Sequence, residues 1–328
     1  MNEIKTEIMK RPEEVTVYTM IATPFKDDGT LDLKEFSKLL DNMANANIGV
    51  YLGSGGAGEG HALSLAELRD VYRTGVEVCK GRVPTAANPR EPRTAIQMLE
   101  LSTLAANEGV DLVQLYSLDA GHGMKPTPTE LNNYYRFLLE RLDYPIAISV
   151  HAYYPYHVPP ALLGELCKDF KQVEAINVIM PIAYFLETRD AMSDVDRNIR
   201  LYTSMMTFVE GLVAGSYGVQ SAEPNLIPYT MRRFADAVLL GDTKTTSELF
   251  IFVYNFMRIC SRWAPSTARW LKMGMKVLGL PGSNGVLREP YYLPGDNDLS
   301  EMRRAFEALD VEGIEATSKA LATSKTGL

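Results

Sequence analysis

A repeated order of elements constrains the fold of this chain more than any other feature. Eight times before residue 240, a short β-rich run is followed by a longer helical pattern. The runs lack strict alternation of polar and apolar residues, which indicates parallel strands that are covered on both faces. The predicted strands are VTVYTMIA (15–22), IGVYLGSG (48–55), RVPTAAN (82–88), DLVQLYS (111–117), PIAISVHA (145–152), VEAINVI (173–179), IRLYTS (199–204) and YGVQSAE (217–223).

Local signals predict where several of the intervening helices begin and end. Ser64 stands three residues before Glu67, the spacing of a capping box at a helix N-terminus. Gly109 follows a helical pattern and is expected just beyond a helix C-terminus. Proline at 159 or 160 suits a first helical turn.

Eight β-then-α units predict a closed (β/α)₈ TIM barrel of the α/β class. An open doubly wound sheet usually carries a glycine fingerprint in its first βα turn, and ATPFKDDG (22–29) is not one. The barrel is expected to span residues 15–240, after a short leader over residues 1–14. Residues 241–328 contain three helical patterns, the last of them DLSEMRRAFEALDVEGI (298–314), and are expected to form a C-terminal helical extension. The Pro-rich link LREPYYLPGD stands before the last helix.

Charge and composition exclude several classes of partner. The net charge of −8 argues against a nucleic-acid or anionic-membrane partner. No apolar stretch reaches the roughly 18 residues that a membrane span needs. Three cysteines lie far apart without metal-ligand spacing, which favours a reducing, cytoplasmic setting, and we expect neither a bound metal nor a cofactor.

In such barrels the chemistry lies at the C-terminal ends of the strands. The second strand ends in a stretch poor in side chains, GSGGAGEGH (53–61). Glycines here let backbone N–H groups approach a ligand closely. The alternative is a tight turn without a ligand.

Seven segments, in order along the chain, carry a family resemblance. They are IATPFKDDGTLD (21–32), GSGGAGEGHALSLAEL (53–68), GRVPTAANPREPRTAIQMLELSTLAANEGVDLVQL (81–115), KPTPTELNNYYRFLLERLDYPIAIS (125–149), AGSYGVQSAEPNLIP (214–228), KMGMKVLGL (272–280) and LREPYYLP (287–294). Together they resemble the dihydrodipicolinate synthase / N-acetylneuraminate lyase family of aldolase barrels. The resemblance implies the same barrel and an oligomer, a homodimer or homotetramer. It also implies a small-molecule substrate, usually a 2-oxo acid.

Several positions depart from the family's chemistry. The resemblance places a Schiff-base lysine at Asn177, and no lysine occurs between Lys171 and Lys244. An amide cannot add to a ketone as an amine does, so we expect no imine. Ser149 and Tyr154 stand where the family has a proton-shuttling tyrosine and a carboxylate-binding arginine. Its substrate-binding hydroxyl pair corresponds to Gly56 and Ala57.

Polar residues at the strand ends are the candidates that remain. His151 is a candidate acid or base because histidine titrates near neutrality, although a hydrogen-bonded structural histidine is the competing interpretation. Glu223 and Asn177 complete the predicted catalytic group. The predicted substrate-binding group comprises Ser54, Gly56, Ala57, Glu59, Asn88, Ser149, Tyr154 and Ser221. For Glu59 the resemblance implies a competing role, in which it braces the turn and caps the next helix.

Two functions compete on this reading of the sequence. The first is a lyase or hydratase-type enzyme that replaced the imine by acid–base chemistry on a small polar metabolite. With the family's cationic groups lost and Glu223 added, its site should prefer a neutral or cationic ligand. The second is a non-catalytic small-molecule-binding or structural homologue. The enzyme would be favoured if His151, Glu223 and Asn177 converge on one open cavity. The second function would be favoured if Tyr153 and Tyr156 plug the mouth of the barrel.

Overall fold

The computed structural model describes residues 10–264 and 266–325. Its centre is a closed barrel of eight parallel strands in sequential order, as the repeated β-then-α pattern predicts. The strands are β1 (Thr16–Met20), β2 (Ile48–Leu52), β3 (Thr85–Ala87), β4 (Leu112–Leu115), β5 (Ile146–His151), β6 (Val173–Ile179), β7 (Arg200–Ser204) and β8 (Gly218–Ser221). Of the predicted leader, residues 1–9 lie outside the described part of the chain, and Pro12–Glu14 form a short 3₁₀ helix.

Helices alternate with the strands and cover the outside of the barrel. The helices of this ring are α1 (Leu33–Asn45), α2 (Leu65–Cys79), α3 (Ala95–Asn107), α4 (Pro128–Leu139), α5 (Pro160–Asp169), α6 (Ile182–Ala191), α7 (Phe208–Val213) and α8 (Pro228–Leu239). The C-terminal helices are α9 (Thr243–Cys260), α10 (Thr267–Leu278), α11 (Asp296–Ala308) and α12 (Val311–Lys325). None of the described helices is long and apolar enough to cross a membrane.

Local hydrogen bonds and backbone geometry confirm the predicted helix boundaries. Ser64 and Glu67 form the expected capping box at the start of α2. Gly109 has a positive φ of 83° just beyond α3, a conformation that glycine adopts without a Cβ penalty. Pro160 is the first residue of α5.

The last predicted helix, residues 298–314, was expected to be continuous and is broken in the structure. Asp310 adopts a left-handed conformation with a φ of 56°, so the chain turns between α11 and α12. Aspartate tolerates this conformation better than most residues because its short polar side chain can bond locally. The helical pattern on both sides of Asp310 gave no sign of this interruption.

The register decides which side chains face the interior of the barrel. Tyr18 pairs with Gln220, and Ser149 pairs with Asn177. Paired residues in neighbouring strands share one face, and successive residues alternate between faces. The lower interior is packed by one group of side chains, Tyr18, Tyr51, Ala86, Leu112, Ala147, Ala175 and Tyr202. The polar residues Gln114, Ser149 and Asn177 each stand two residues further along their strands than a member of this layer. They therefore lie above it, towards the C-terminal ends of the strands.

Candidate functional site

A cavity of about 780 Å³ opens at the C-terminal ends of β3, β4 and β5. This mouth cavity is bounded by the loops that follow these strands and by the first turns of α3. The side chains around it that can bind or react include His61, Arg90, Glu91, Asp119, His151 and Tyr154. Among the described residues that line it there is no lysine.

His151 ends β5 and reaches the mouth cavity with its imidazole. Its Nε2 lies 2.7 Å from the hydroxyl of Ser149, and its Nδ1 has no hydrogen bond to a described residue. The rings of Tyr116, Tyr153 and Tyr154 surround it, with centroids 5.2, 5.9 and 6.1 Å away. Burial lowers the pKa of His151 to about 4, because the imidazolium loses solvation. The imidazole is therefore neutral near pH 7 and can accept a proton.

Asn177 lies inside the barrel and does not reach the mouth cavity. Its Nδ2 donates to the Tyr51 hydroxyl at 2.9 Å and to Gln114 Oε1 at 2.5 Å, so both amide hydrogens are used. The residue is fully buried. The polar network continues as Gln114 Nε2 donates to Asn88 Oδ1 at 3.2 Å, and the hydroxyl of Tyr116 also donates to Asn88. Asn88 and Asn177 are thus connected through Gln114 below the cavity.

Sequence reasoning missed Tyr51, Gln114 and Tyr116 as members of this buried network. Tyr51 pairs with Ala86, and Gln114 pairs with Ala147, which places both on the inner face of the barrel. Because side chains alternate between faces along β2 and β4, their inward-facing residues can be predicted once one inward residue of each strand is known. The register across strands that identifies that residue comes only from the structure.

The turn after β2 is held by its own hydrogen bonds. Ser54 accepts from the backbone N–H of Gly58 at 2.9 Å and of Gly60 at 2.7 Å, through its hydroxyl and its carbonyl oxygen respectively. Ala57 is buried. Gly56 borders a smaller cavity of about 290 Å³ on the other side of His61.

Glu59 points away from the mouth cavity into a buried ion pair. One carboxylate oxygen accepts from Lys272, and the other accepts from the backbone N–H of Arg288 at 3.1 Å. The Lys272 amine also donates to the Val286 carbonyl at 2.8 Å. These contacts brace the turn and occupy the Lys272 amine.

Glu223 lies on the α9 side of the barrel end, away from the mouth cavity. Ser221 pairs with Thr19 on the face opposite Gln220, and the chain then enters the short helix Glu223–Asn225. Burial raises the pKa of the Glu223 carboxyl, and Oε2 has no hydrogen-bond partner among the described residues. Burial, with a smaller contribution from Glu223, raises the pKa of the Cys260 thiol in α9. The structure does not bring Glu223 and His151 together.

Charged residues of the loop after β3 were also missed by the sequence analysis. Arg90 lines the mouth cavity and forms no salt bridge with a described residue, whereas Arg93 Nε lies 3.3 Å from Asp119 Oδ2. Glu91 lies between them in sequence. The charged run PREPR (89–93) directly after a predicted barrel strand was the available signal. With neutral histidines and all carboxyls ionised, the two arginines and the three carboxylates that line the cavity, those of Glu91, Glu100 and Asp119, carry a net charge of −1. The net charge is zero when Glu91 is protonated.

Comparisons with known proteins agree with this architecture. A profile described as "Dihydrodipicolinate synthetase family" matches residues 14–309. An uncharacterized DapA-like lyase of Rhizobium meliloti is 26% identical over 302 residues, which cover 88% of this chain and 95% of that protein. A probable 5-dehydro-4-deoxyglucarate dehydratase of Acidovorax ebreus is 23% identical over 284 residues, which cover 82% of this chain and 86% of that protein.

A solved structure of a monomeric dihydrodipicolinate synthase variant has the same fold. It superposes with a TM-score of 0.81 at 20% identity and covers 92% of this chain and 98% of its own. Because the profile match extends over most of the chain, from the residues before β1 to the end of α11, this protein belongs to the dihydrodipicolinate synthetase family.

Proposed function

We propose that the protein is a lyase or hydratase-type enzyme that works by proton transfer, without a Schiff base. Membership of the family supports a lyase, and similar proteins carry lyase and dehydratase names. The observation that carries the proposal is the environment of Asn177. An amide stands where the resemblance places the amine, and both of its amide hydrogens are already bonded inside the barrel.

His151 is the proposed general base of this reaction. Its imidazole lines the mouth cavity and Ser149 orients Nε2, while Nδ1 has no partner among the described residues. A neutral imidazole can remove a proton from a carbon next to a carbonyl group. Arg90, which has no ion pair among the described residues, can stabilise the oxyanion that develops on that carbonyl.

The proposed substrate is a small polar metabolite without a net negative charge. The lining carries no net positive charge whether or not Glu91 is protonated, which supports the preference for a neutral or cationic ligand over a 2-oxo acid. The Tyr154 hydroxyl can donate a hydrogen bond to such a substrate, because it is buried and has no hydrogen-bond partner among the described residues.

Mass spectrometry of a metabolite panel tests the reaction and the absence of an imine together. The panel contains neutral sugars, amino sugars, polyols and 2-oxo acids, and each is incubated with enzyme with and without borohydride. We expect loss of water or carbon–carbon cleavage for an uncharged or cationic member. A borohydride-trapped adduct of pyruvate on any lysine would overturn the proposal.

The variant His151→Gln tests the assignment of the base. We expect turnover to fall about 10²–10⁴-fold, the range that a positioned acid or base contributes. The matched control is His157→Gln, an exposed histidine in the same loop that does not line the mouth cavity. Equal activity of the two variants would remove His151 from the mechanism.

A non-catalytic ligand-binding protein is the second candidate. It is favoured by the finding that Asn177 and Glu223 do not converge with His151 on the cavity. Against it, the mouth is open, because Tyr153 is 81% exposed and does not plug it. Panel members that bind, as measured by a rise in melting temperature, but are never converted would favour this candidate. A homo-oligomer and a cytoplasmic location stay predictions; light scattering in solution tests the first, and cell fractionation the second.

A further inference from the structure

Glu91 shares the mouth cavity with His151, and its carboxyl forms no hydrogen bond or salt bridge with another described residue. It belongs to the loop after β3, and its carboxyl lies beside Gly55 in the turn that follows β2. A Cβ atom added at Gly55 would lie 2.9 Å from Glu91 Oε2. The absent side chain at Gly55 therefore leaves room for this carboxyl group.

The carboxyl of Glu91 has no ionic partner in the described part of the chain. Arg90 and Arg93 flank it in sequence, yet Arg93 pairs with Asp119, and no salt bridge joins either arginine to Glu91. The neighbouring carboxylates differ in this respect, because Glu59 is paired with Lys272 and Glu67 with Arg288. A carboxyl group that is kept free beside an open cavity is available to a ligand.

Two tyrosines connect the surroundings of Glu91 with those of His151. The charge of Glu91 raises the pKa values of Tyr116 and Tyr154, in both cases after the larger effect of burial. The same two rings pack against the His151 imidazole. The carboxyl group and the imidazole therefore act on one region of the cavity.

We propose that Glu91 is the general acid of an elimination reaction whose general base is His151. This inference rests on the proposed lyase function. His151 removes the proton from the carbon next to the carbonyl group, and the electron pair forms an enolate. The enolate then collapses to a carbon–carbon double bond as the bond to the neighbouring hydroxyl breaks. Glu91 donates its proton to that hydroxyl, which leaves as water, and solvent exchange afterwards returns both side chains to their starting states.

The electrostatic environment suits these two roles. Glu91 as a residue is exposed at the mouth. Partial desolvation of its carboxyl by the cavity walls raises its pKa, with a smaller contribution from the negative Asp119. The pKa of His151 moves in the opposite direction. These shifts favour the protonated form of the Glu91 carboxyl and the neutral form of the His151 imidazole, and an elimination needs one group of each kind at the start of a turnover.

Deuterium exchange separates the two proton transfers. In D₂O, the wild-type protein should both incorporate deuterium next to the carbonyl group of a reactive panel member and eliminate water. The variant Glu91→Gln should keep the exchange within about threefold and lose about 10²–10⁴-fold in elimination. The variant His151→Gln should lose both. The control Glu77→Gln, an exposed glutamate of α2 outside the cavity, should behave as wild type.

Each alternative result has a defined meaning. Loss of exchange and elimination together in Glu91→Gln would show that Glu91 only binds substrate or supports the site, and would overturn its role as the acid. Full elimination in Glu91→Gln would overturn it as well, while leaving His151 and the proposed function intact. If the wild-type protein converts no panel member, the proposed function fails, and the role of Glu91 fails with it.

The variant Gly55→Ala supplies a second measurement. Its methyl group should displace the Glu91 carboxyl, lowering the rate of elimination more than the rate of exchange. Elimination unchanged in Gly55→Ala, with the carboxyl still in place by structure, would contradict the positional argument for Glu91.

Discussion

Lys272 holds the carboxylate of Glu59 in the interior, where the two side chains are 1% and 2% exposed. Glu59 belongs to the turn after β2, and Lys272 belongs to α10 of the C-terminal extension. Their ion pair therefore connects the glycine turn of the barrel mouth to a helix that is more than 200 residues away in sequence. Because both charges are desolvated, each one depends on the other.

Removal of either partner should destabilise the protein strongly. We expect Lys272→Met to cost about 3–5 kcal/mol in the free energy of unfolding, because Glu59 would stay buried without a counter-charge. Urea denaturation measures the loss. The matched control is Lys276→Met in the same helix, where the lysine is exposed and unpaired among the described residues. A double variant with Glu59→Gln that recovers no stability relative to Lys272→Met would contradict this account.

Gly60 should not tolerate any side chain. A Cβ atom there would lie 2.0 Å from the backbone carbonyl oxygen of Gly53, and backbone cannot move aside as a side chain can. We expect Gly60→Ala to destabilise by more than about 3 kcal/mol, beyond the usual range for overpacking. Gly295→Ala provides the control, because no atom lies within 4 Å of a Cβ atom there and its φ is −76°. Similar melting temperatures for the two variants would disprove the close approach.

The stability of the protein should depend on pH through His151. Burial lowers its pKa to about 4, whereas a histidine in an unfolded chain titrates near 6.5. Between these values the unfolded chain binds more protons, so the free energy of unfolding rises with pH. This contribution is complete above about pH 6.5 and is lost as the pH falls towards 4. His151→Gln should flatten that part of the stability profile, and His157→Gln should not.

The pKa of Glu67 should rise when Arg288 is replaced. The Arg288 guanidinium, helped by hydrogen bonds from Ser64, holds the pKa of Glu67 at about 2. We expect Arg288→Met to raise this pKa towards the usual value near 4.3, as measured by ¹³C NMR. In the wild-type protein the associated stability is present above about pH 4.3 and is lost as the pH falls through 2. A pKa that stays near 2 in the variant would assign the effect to the capping box alone.

Local patterns were sufficient for most of the fold. Eight strand runs, the capping box of Ser64 and Glu67, and the C-terminal glycine Gly109 were predicted from short segments, and the structure confirms them. The break at Asp310 escaped prediction because an apolar helical stripe continues through it. A single residue in a left-handed conformation leaves no periodic signal.

The site was harder to predict than the barrel. The rule that chemistry lies at strand C-termini led to His151, which does line the cavity, but the same rule also selected Asn177 and Glu223, which do not. The position of a residue along a strand fixes its distance from the C-terminal end of the barrel. It does not fix the direction of a side chain that follows the end of the strand.

The sequence by itself determined the order of the elements, the closed (β/α)₈ architecture and the amide at position 177, because each depends on residue type and local spacing. Only the tertiary structure decided that Asn177 forms hydrogen bonds with Tyr51 and Gln114 inside the barrel, and that Glu91 and His151 line the same cavity. The physical reason is that strand register and loop packing join residues far apart in the chain, and no local pattern encodes those distances.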